Sequence, residues 1–89
     1  MEELVHWMMV YVMNAEGLII KIPMEFNRAV TLLDCSGYAD AHREAISTYN
    51  EEINRWVMND GSGSWFGHQC FQDPSRMFIV PHNIIKLFL

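Results

Sequence analysis

The stretch from Asp40 to Asp60 constrains the fold more than any other, because its apolar residues recur three and four positions apart. That spacing places side chains on one side of an α-helix. The recurring residues are His42, Ile46, Tyr49, Ile53, Trp56 and Val57. Asp40 can cap the start of such a helix, and Gly61 can end it by adopting a positive φ. The pattern predicts a long amphipathic helix over 40–60, which needs an apolar surface to pack against.

The beginning of the chain has the composition of a strand. Leu4 to Met13 is rich in β-branched and aromatic residues and contains neither glycine nor proline,. Both faces of this strand would be largely apolar, so it is either central in a covered sheet or has its second face buried in a partner. Asn14–Gly17 can turn the chain, and Leu18 to Ile22 is predicted to return as the second strand of a hairpin that ends at Pro23.

The remaining segments complete an α+β pattern. Helical spacing over 25–35 predicts a short helix, and Ser36-Gly37 is expected to break the chain before the long helix. Strands are predicted over 65–71, 77–80 and 84–89. The sequence thus predicts a mostly antiparallel sheet of four or five strands, with one long and one short helix on one face, in the order ββααβββ.

The composition limits the classes of function. The 89 residues suit a single domain spanning 1–89,. A hydrophobic fraction of 51% with only 19% charged residues suggests that some apolar surface is buried against another chain,. The net charge is −5 and the basic side chains do not cluster, so direct binding to nucleic acid is not expected,. No apolar run approaches the ~20 residues of a membrane span, so no membrane association is expected either.

The cysteine content bears on the compartment. The sequence contains two cysteines, Cys35 and Cys70, and its first residues are acidic where a secretory signal would be basic,. One disulfide can form, but so low a cysteine count favours a reducing compartment. The sequence therefore predicts a cytoplasmic protein and leaves open whether the two cysteines ever pair.

The segment His68-Gln69-Cys70 carries the sharpest chemical signal. Residues two apart on a strand share a face, so His68 and Cys70 could offer a nitrogen and a sulfur to one zinc ion, or form a thiol–imidazole pair. A zinc site would need further ligands from His6, Cys35 or His82, and no orienting motif accompanies the pair. A small zinc or thiol enzyme is therefore only an alternative, and the prediction is no enzyme, no metal and no cofactor.

A second group of residues suggests a small-molecule site. The loop Gly61-Ser62-Gly63-Ser64 can aim backbone N–H groups at an anion, and the aromatic residues after it can stack on a base. The predicted contacts to a small anionic or nucleotide-like ligand, held between subunits, are Trp65, Phe66, His68 and Arg76. The alternative is a solvated linker before a strand of core aromatics. His42 likewise reads either as a histidine at the edge of the core or as a ligand-contacting group.

The leading hypothesis comes from residue types that are common at protein interfaces. Methionine adapts its shape, and tryptophan and tyrosine are frequent interface anchors. The predicted interface residues are Trp7, Met9, Tyr11, Met13 and Phe88. They predict a non-catalytic, self-associating homo-oligomer that acts by stoichiometric occupation of a partner protein, as small acidic phage inhibitors of host defence do. No motif is specific enough to name a family.

Overall fold

The computed structural model describes residues 4–73 and 84–88, which form six strands and one helix. These elements are β1 Leu4–Met13, β2 Ile19–Thr31, α1 Leu32–Ile46, β3 Ser47–Asn50, β4 Arg55–Met58, β5 Ser64–Phe71 and β6 Ile85–Leu87. The strands lie in one sheet with the order β3-β4-β5-β1-β2-β6. Neighbouring strands are antiparallel, except that β6 runs parallel to β2.

The sheet curls into a half-barrel, and this corrects the predicted architecture. Of the described residues, 56% lie in strands and 20% in helix, and they form six strands rather than four or five and one helix rather than two. The helix α1 packs against β1, β2 and β5, on the face that holds the buried core. The long curled sheet, rather than a long helix, is therefore the organising element of the chain.

The helix predicted over 40–60 is wrong beyond Ile46. At Ser47 the backbone becomes extended, and the hydroxyl of Ser47 donates a hydrogen bond to the carbonyl of Arg43. The chain then forms the β3–β4 hairpin, in which Tyr49 pairs with Trp56 across the two strands. Their rings meet edge to face at 5.5 Å between centroids. Two aromatic residues seven positions apart suit two helical turns, but here they suit a cross-strand pair instead.

Asparagine side chains explain why the hairpin is locally favoured. The Oδ1 atom of Asn50 accepts a hydrogen bond from the backbone N–H of Glu52 at 2.9 Å, which starts the turn. Asn54 adopts a positive φ of 54°, a conformation that asparagine tolerates better than most residues,. Ser, Thr and Asn also compete with helical hydrogen bonds through their side chains. The turn chemistry at both ends of 50–54 therefore outweighs the apolar spacing.

The predicted short helix over 25–35 and the predicted end of a strand at Pro23 are also wrong. β2 continues through Pro23 to Thr31, where the Thr31 side chain caps α1 by accepting from the N–H of Asp34 at 3.0 Å. Pro23 pairs with Met9 of β1, and pairing with β6 begins only at Met24. Proline is tolerated at such an edge position because no second ladder requires its missing N–H. Ser36 and Gly37 lie inside α1 and do not break it.

β1 lies in the interior of the described sheet. This agrees with the first of the two alternatives for this strand, a central position in the sheet. It is hydrogen-bonded to β2 on one side and to β5 on the other. Met8, Met9, Val10 and Val12 are all at most 1% exposed. Much of the apolar surface of this strand is therefore buried within one subunit, without a partner.

Polar side chains tie the strands together on the face of the sheet away from α1. The indole Nε1 of Trp7 donates to Glu25 at 2.7 Å, and the ammonium of Lys86 also donates to this carboxylate. These hydrogen bonds lower the pKa of Glu25, that from Lys86 having the largest effect,. The bridge connects β1, β2 and β6.

The predicted strand over 77–80 lies outside the described residues. The described part of the chain contains no helix with both the length and the apolar character that a membrane span requires.

Candidate functional site

The predicted ligand residues do not form one cluster. A bulge in β5 pairs Gly67 with Tyr11 and Trp65 with Val12, so that Phe66 is the extra residue between them,. Trp65 packs against the core, whereas the side chain of Phe66 is 61% exposed. Arg76 lies outside the described residues. The bulge thus separates two adjacent aromatic residues that the sequence placed in the same site.

Phe66 and His68 line a shallow groove on the sheet, which we call the outer groove. Its volume is about 490 Å³, and its lining is Tyr11, Ile19, Lys21, Phe66, Gly67, His68 and Gln69. A side chain at Gly67 would meet no atom within 4 Å, so the glycine leaves this stretch of the groove open. The Tyr11 hydroxyl donates to Oε1 of Gln69 at 2.6 Å, and burial raises the pKa of Tyr11. An aromatic ring beside an exposed lysine is suited to a flat anionic ligand.

A second concavity, the inner pocket, lies between α1 and the curled sheet. Its volume is about 420 Å³. Its apolar wall is formed by Ile22, Met24, Ile46, Met58, Ile85 and Leu87. Its polar lining residues are His42, Asn59 and Asp60, and Ala45 of α1 completes it. An apolar concavity of this size with a few polar groups is the usual form of a small-molecule site.

His42 contributes an imidazole to the inner pocket. Its ring stacks on Tyr38 at 6.0 Å and meets Trp65 edge to face at 6.3 Å between centroids. Burial lowers the pKa of His42, which favours the neutral form of the ring,. Within the described residues no hydrogen bond involves its ring nitrogens. His42 therefore lies at the edge of the core and also lines a cavity.

His68 and Cys70 share a face of β5, as predicted, but Cys70 is bonded to Cys35. The Cys35–Cys70 disulfide joins α1 to β5 across 6.5 Å between Cα atoms. In this form Cys70 can act neither as a metal ligand nor as a thiolate nucleophile. Residues 4–73 and 84–88 also contain no group of three potential metal ligands. The alternative of a zinc or thiol enzyme at this pair therefore has no structural support.

The predicted interface residues divide into buried and exposed ones. Met9 is only 1% exposed, so it is not available to a partner. Trp7, Tyr11 and Met13 are half-buried, and the polar atoms of Trp7 and Tyr11 bond within the subunit. Phe88 is 81% exposed, directly after β6. Phe88 is therefore the most accessible member of the predicted interface.

Further exposed apolar side chains lie at the start of β2, where the sequence predicts only the returning strand of a hairpin. Leu18, Ile19 and Ile20 are 61%, 39% and 41% exposed. Ile19–Ile22 pair with β1 on one side, and no described strand pairs with them on the other. We call the segment 18–22 the β2 edge. Consecutive apolar residues are typical of a buried strand, so the sequence pattern does not indicate this exposed edge.

Comparison with known proteins identifies no relative. No protein family, no functionally characterised protein and no solved structure matches the chain.

Proposed function

We propose that the protein is a non-catalytic binding protein, which acts by pairing the β2 edge with a strand of another protein chain. The exposure of three consecutive apolar residues, Leu18, Ile19 and Ile20, is the observation that carries this proposal. In the absence of a heterologous partner, a second copy of the chain occupies the same edge. Occupation of a partner protein and self-association then share one surface.

Both the backbone and the side chains of the β2 edge favour pairing with another strand. An edge strand presents unpaired N–H and C=O groups that template the addition of another strand. Soluble proteins normally protect such edges with charges or prolines. The β2 edge contains Lys21 and is followed by Pro23, but Leu18, Ile19 and Ile20 before them carry neither a charge nor a proline. Among the described residues no strand pairs with the outer side of Ile19–Ile22, so pairing with another chain there would satisfy this backbone and cover these side chains together.

Light scattering coupled to size-exclusion chromatography tests the proposal. We expect the wild-type protein to elute as a dimer at tens of micromolar and Ile20→Lys to elute as a monomer, because a lysine at this edge disfavours pairing. Leu33→Lys is the matched control, since Leu33 is 82% exposed but lies on α1. A monomeric wild type, or a dimer unaffected by Ile20→Lys, would contradict the proposal.

The outer groove supports a second candidate function, the sequestration of a small anionic, nucleotide-like ligand. Phe66 offers an exposed ring and Lys21 a positive charge on the same concave surface. We expect adenosine monophosphate to raise the thermal midpoint of the wild type but not of Phe66→Ala, because base stacking contributes about 1–3 kcal/mol. Tyr49→Ala is the control, since Tyr49 is an exposed aromatic residue outside the groove. Equal responses of the wild type and Phe66→Ala would exclude this site.

The oxidation state of the two cysteines bears on the cellular compartment. The sequence favours the cytoplasm, whereas a Cys35–Cys70 disulfide persists best in an oxidising compartment,. The cytoplasmic location therefore stays a prediction, and it requires that the cysteines be free thiols in the cell.

A further inference from the structure

The inner pocket has the properties of a site for a small molecule rather than for a protein. It lies in the concave side of the sheet, between α1, β2, β6 and the turn after β4. Its apolar wall includes Met24 and Met58, which are only 2% and 6% exposed and so form a fixed base. Ile22, Ile85 and Leu87 extend this wall toward the surface. A volume of about 420 Å³ falls within the range of ligand pockets,.

The charges of the side chains that line the inner pocket indicate which class of ligand it can bind. Among the described residues that line the pocket, Asp60 has the one formally charged side chain. Its Oδ1 atom accepts a hydrogen bond from the N–H of Ser62 at 2.9 Å, and the hydrogen bonds from Ser62 lower the pKa of Asp60. The described lining contains no lysine or arginine that would compete for this carboxylate. The site therefore combines an apolar wall with one negative charge.

We propose that the inner pocket binds a small amphiphilic cation, whose apolar body lies against Met24 and Met58 and whose protonated amine pairs with Asp60. An anion of the same shape would face the Asp60 carboxylate and the net charge of −5,. A neutral hydrocarbon would gain no attraction from Asp60. Since no hydrogen bond to the ring nitrogens of His42 is found among the described residues, the imidazole offers an acceptor for a second N–H of the ligand,.

Isothermal titration calorimetry with n-octylammonium chloride and sodium octanoate, at neutral pH, tests this site. We expect the ammonium to bind at least about tenfold more tightly than the carboxylate. Asp60→Asn should bring the two affinities to within about twofold, because the charge is lost. The substitution preserves the fold, since the amide oxygen of asparagine can still accept from Ser62.

Two tryptophan substitutions on α1 test whether octylammonium binds in the inner pocket. Ala45 lines the inner pocket and is exposed, so Ala45→Trp fills the pocket and should abolish the binding of octylammonium. Ala41 is also exposed but does not line the pocket. Because helical side chains point toward the N-terminus of their helix, a tryptophan at position 41 would point away from Ala45 and the pocket. Ala41→Trp should therefore bind as the wild type does. Equal affinities for the two amphiphiles, no heat from octylammonium up to about 5 mM, or unchanged binding by Ala45→Trp would each overturn the proposal.

Discussion

Replacing Cys35 with alanine is expected to lower the free energy of unfolding by about 4 kcal/mol. The disulfide closes a loop between residues 35 positions apart, and such a crosslink removes about 3.8 kcal/mol of conformational entropy from the unfolded chain,. Total stabilities of small domains are only about 5–15 kcal/mol. Urea unfolding followed by far-ultraviolet circular dichroism measures the loss, and Cys70→Ala should give a similar value.

Reduction supplies the control for the disulfide prediction. Dithiothreitol should destabilise the wild type to about the level of the Cys35→Ala/Cys70→Ala double variant and should leave that variant unchanged. The two single losses should not add, because each substitution removes the same bond. A wild-type protein that carries two free thiols after purification in air, or one whose stability is unaffected by reduction, would contradict the assigned pairing.

Gly63→Ala is expected to cost about 3 kcal/mol, because the added methyl group collides with the neighbouring backbone. A Cβ atom at this position would lie 2.1 Å from the carbonyl oxygen of Met13 and 2.8 Å from its carbonyl carbon. Backbone atoms of the central strand cannot yield as a flexible side chain would. Gly63 also has a φ of 147°, which residues with side chains rarely adopt, and its carbonyl accepts from the N–H of Met58 at 2.8 Å.

Gly37→Ala is the matched control for this prediction. Gly37 lies within α1, and a Cβ atom there would meet nothing within 4 Å. Alanine is preferred over glycine inside a helix by about 1 kcal/mol, so this variant should be more stable than the wild type. Thermal unfolding of both variants measures the contrast. A Gly63→Ala protein as stable as Gly37→Ala would mean that β1 and the start of β5 do not approach as closely as described.

The two adjacent strands β1 and β5 were predictable, because their local and global preferences agree. β1 is rich in β-branched and aromatic residues and is central in the sheet, as such a composition favours,. β5 was predicted over 65–71 and spans Ser64–Phe71. The positive φ values of Gly17 and Gly61 were also predictable, although Gly61 turns a hairpin rather than ending a helix. At these places sequence pattern and tertiary structure point to the same answer.

The segment over 40–60 was not predictable by apolar spacing, because one spacing fits two structures. Tyr49 and Trp56 fit two turns of a helix, yet they also face each other across a short hairpin. Only the turn chemistry at Asn50 and Asn54 distinguishes the two cases, and it lies in side-chain hydrogen bonds and a positive φ. Short apolar patterns often leave this ambiguity.

The candidate sites depend on contacts between distant parts of the chain. The inner pocket joins Met24 of β2, His42 of α1 and Asp60 after β4, and no local motif links these residues. The bulge at Phe66, which divides the predicted ligand residues between two faces, requires the register between β1 and β5. His42, for which the sequence leaves a ligand-contacting role as one of two interpretations, lines this pocket. The rest of the pocket required the fold.

Amide hydrogen exchange across a dilution series measures whether the β2 edge pairs with another chain. We expect some amides over 18–22 to exchange slowly at high protein concentration and faster on dilution, since pairing between copies depends on concentration. Amides of β1 bonded within the sheet should exchange slowly at every concentration. Rates over 18–22 that stay fast and unchanged across the series would show that no second chain pairs with this edge.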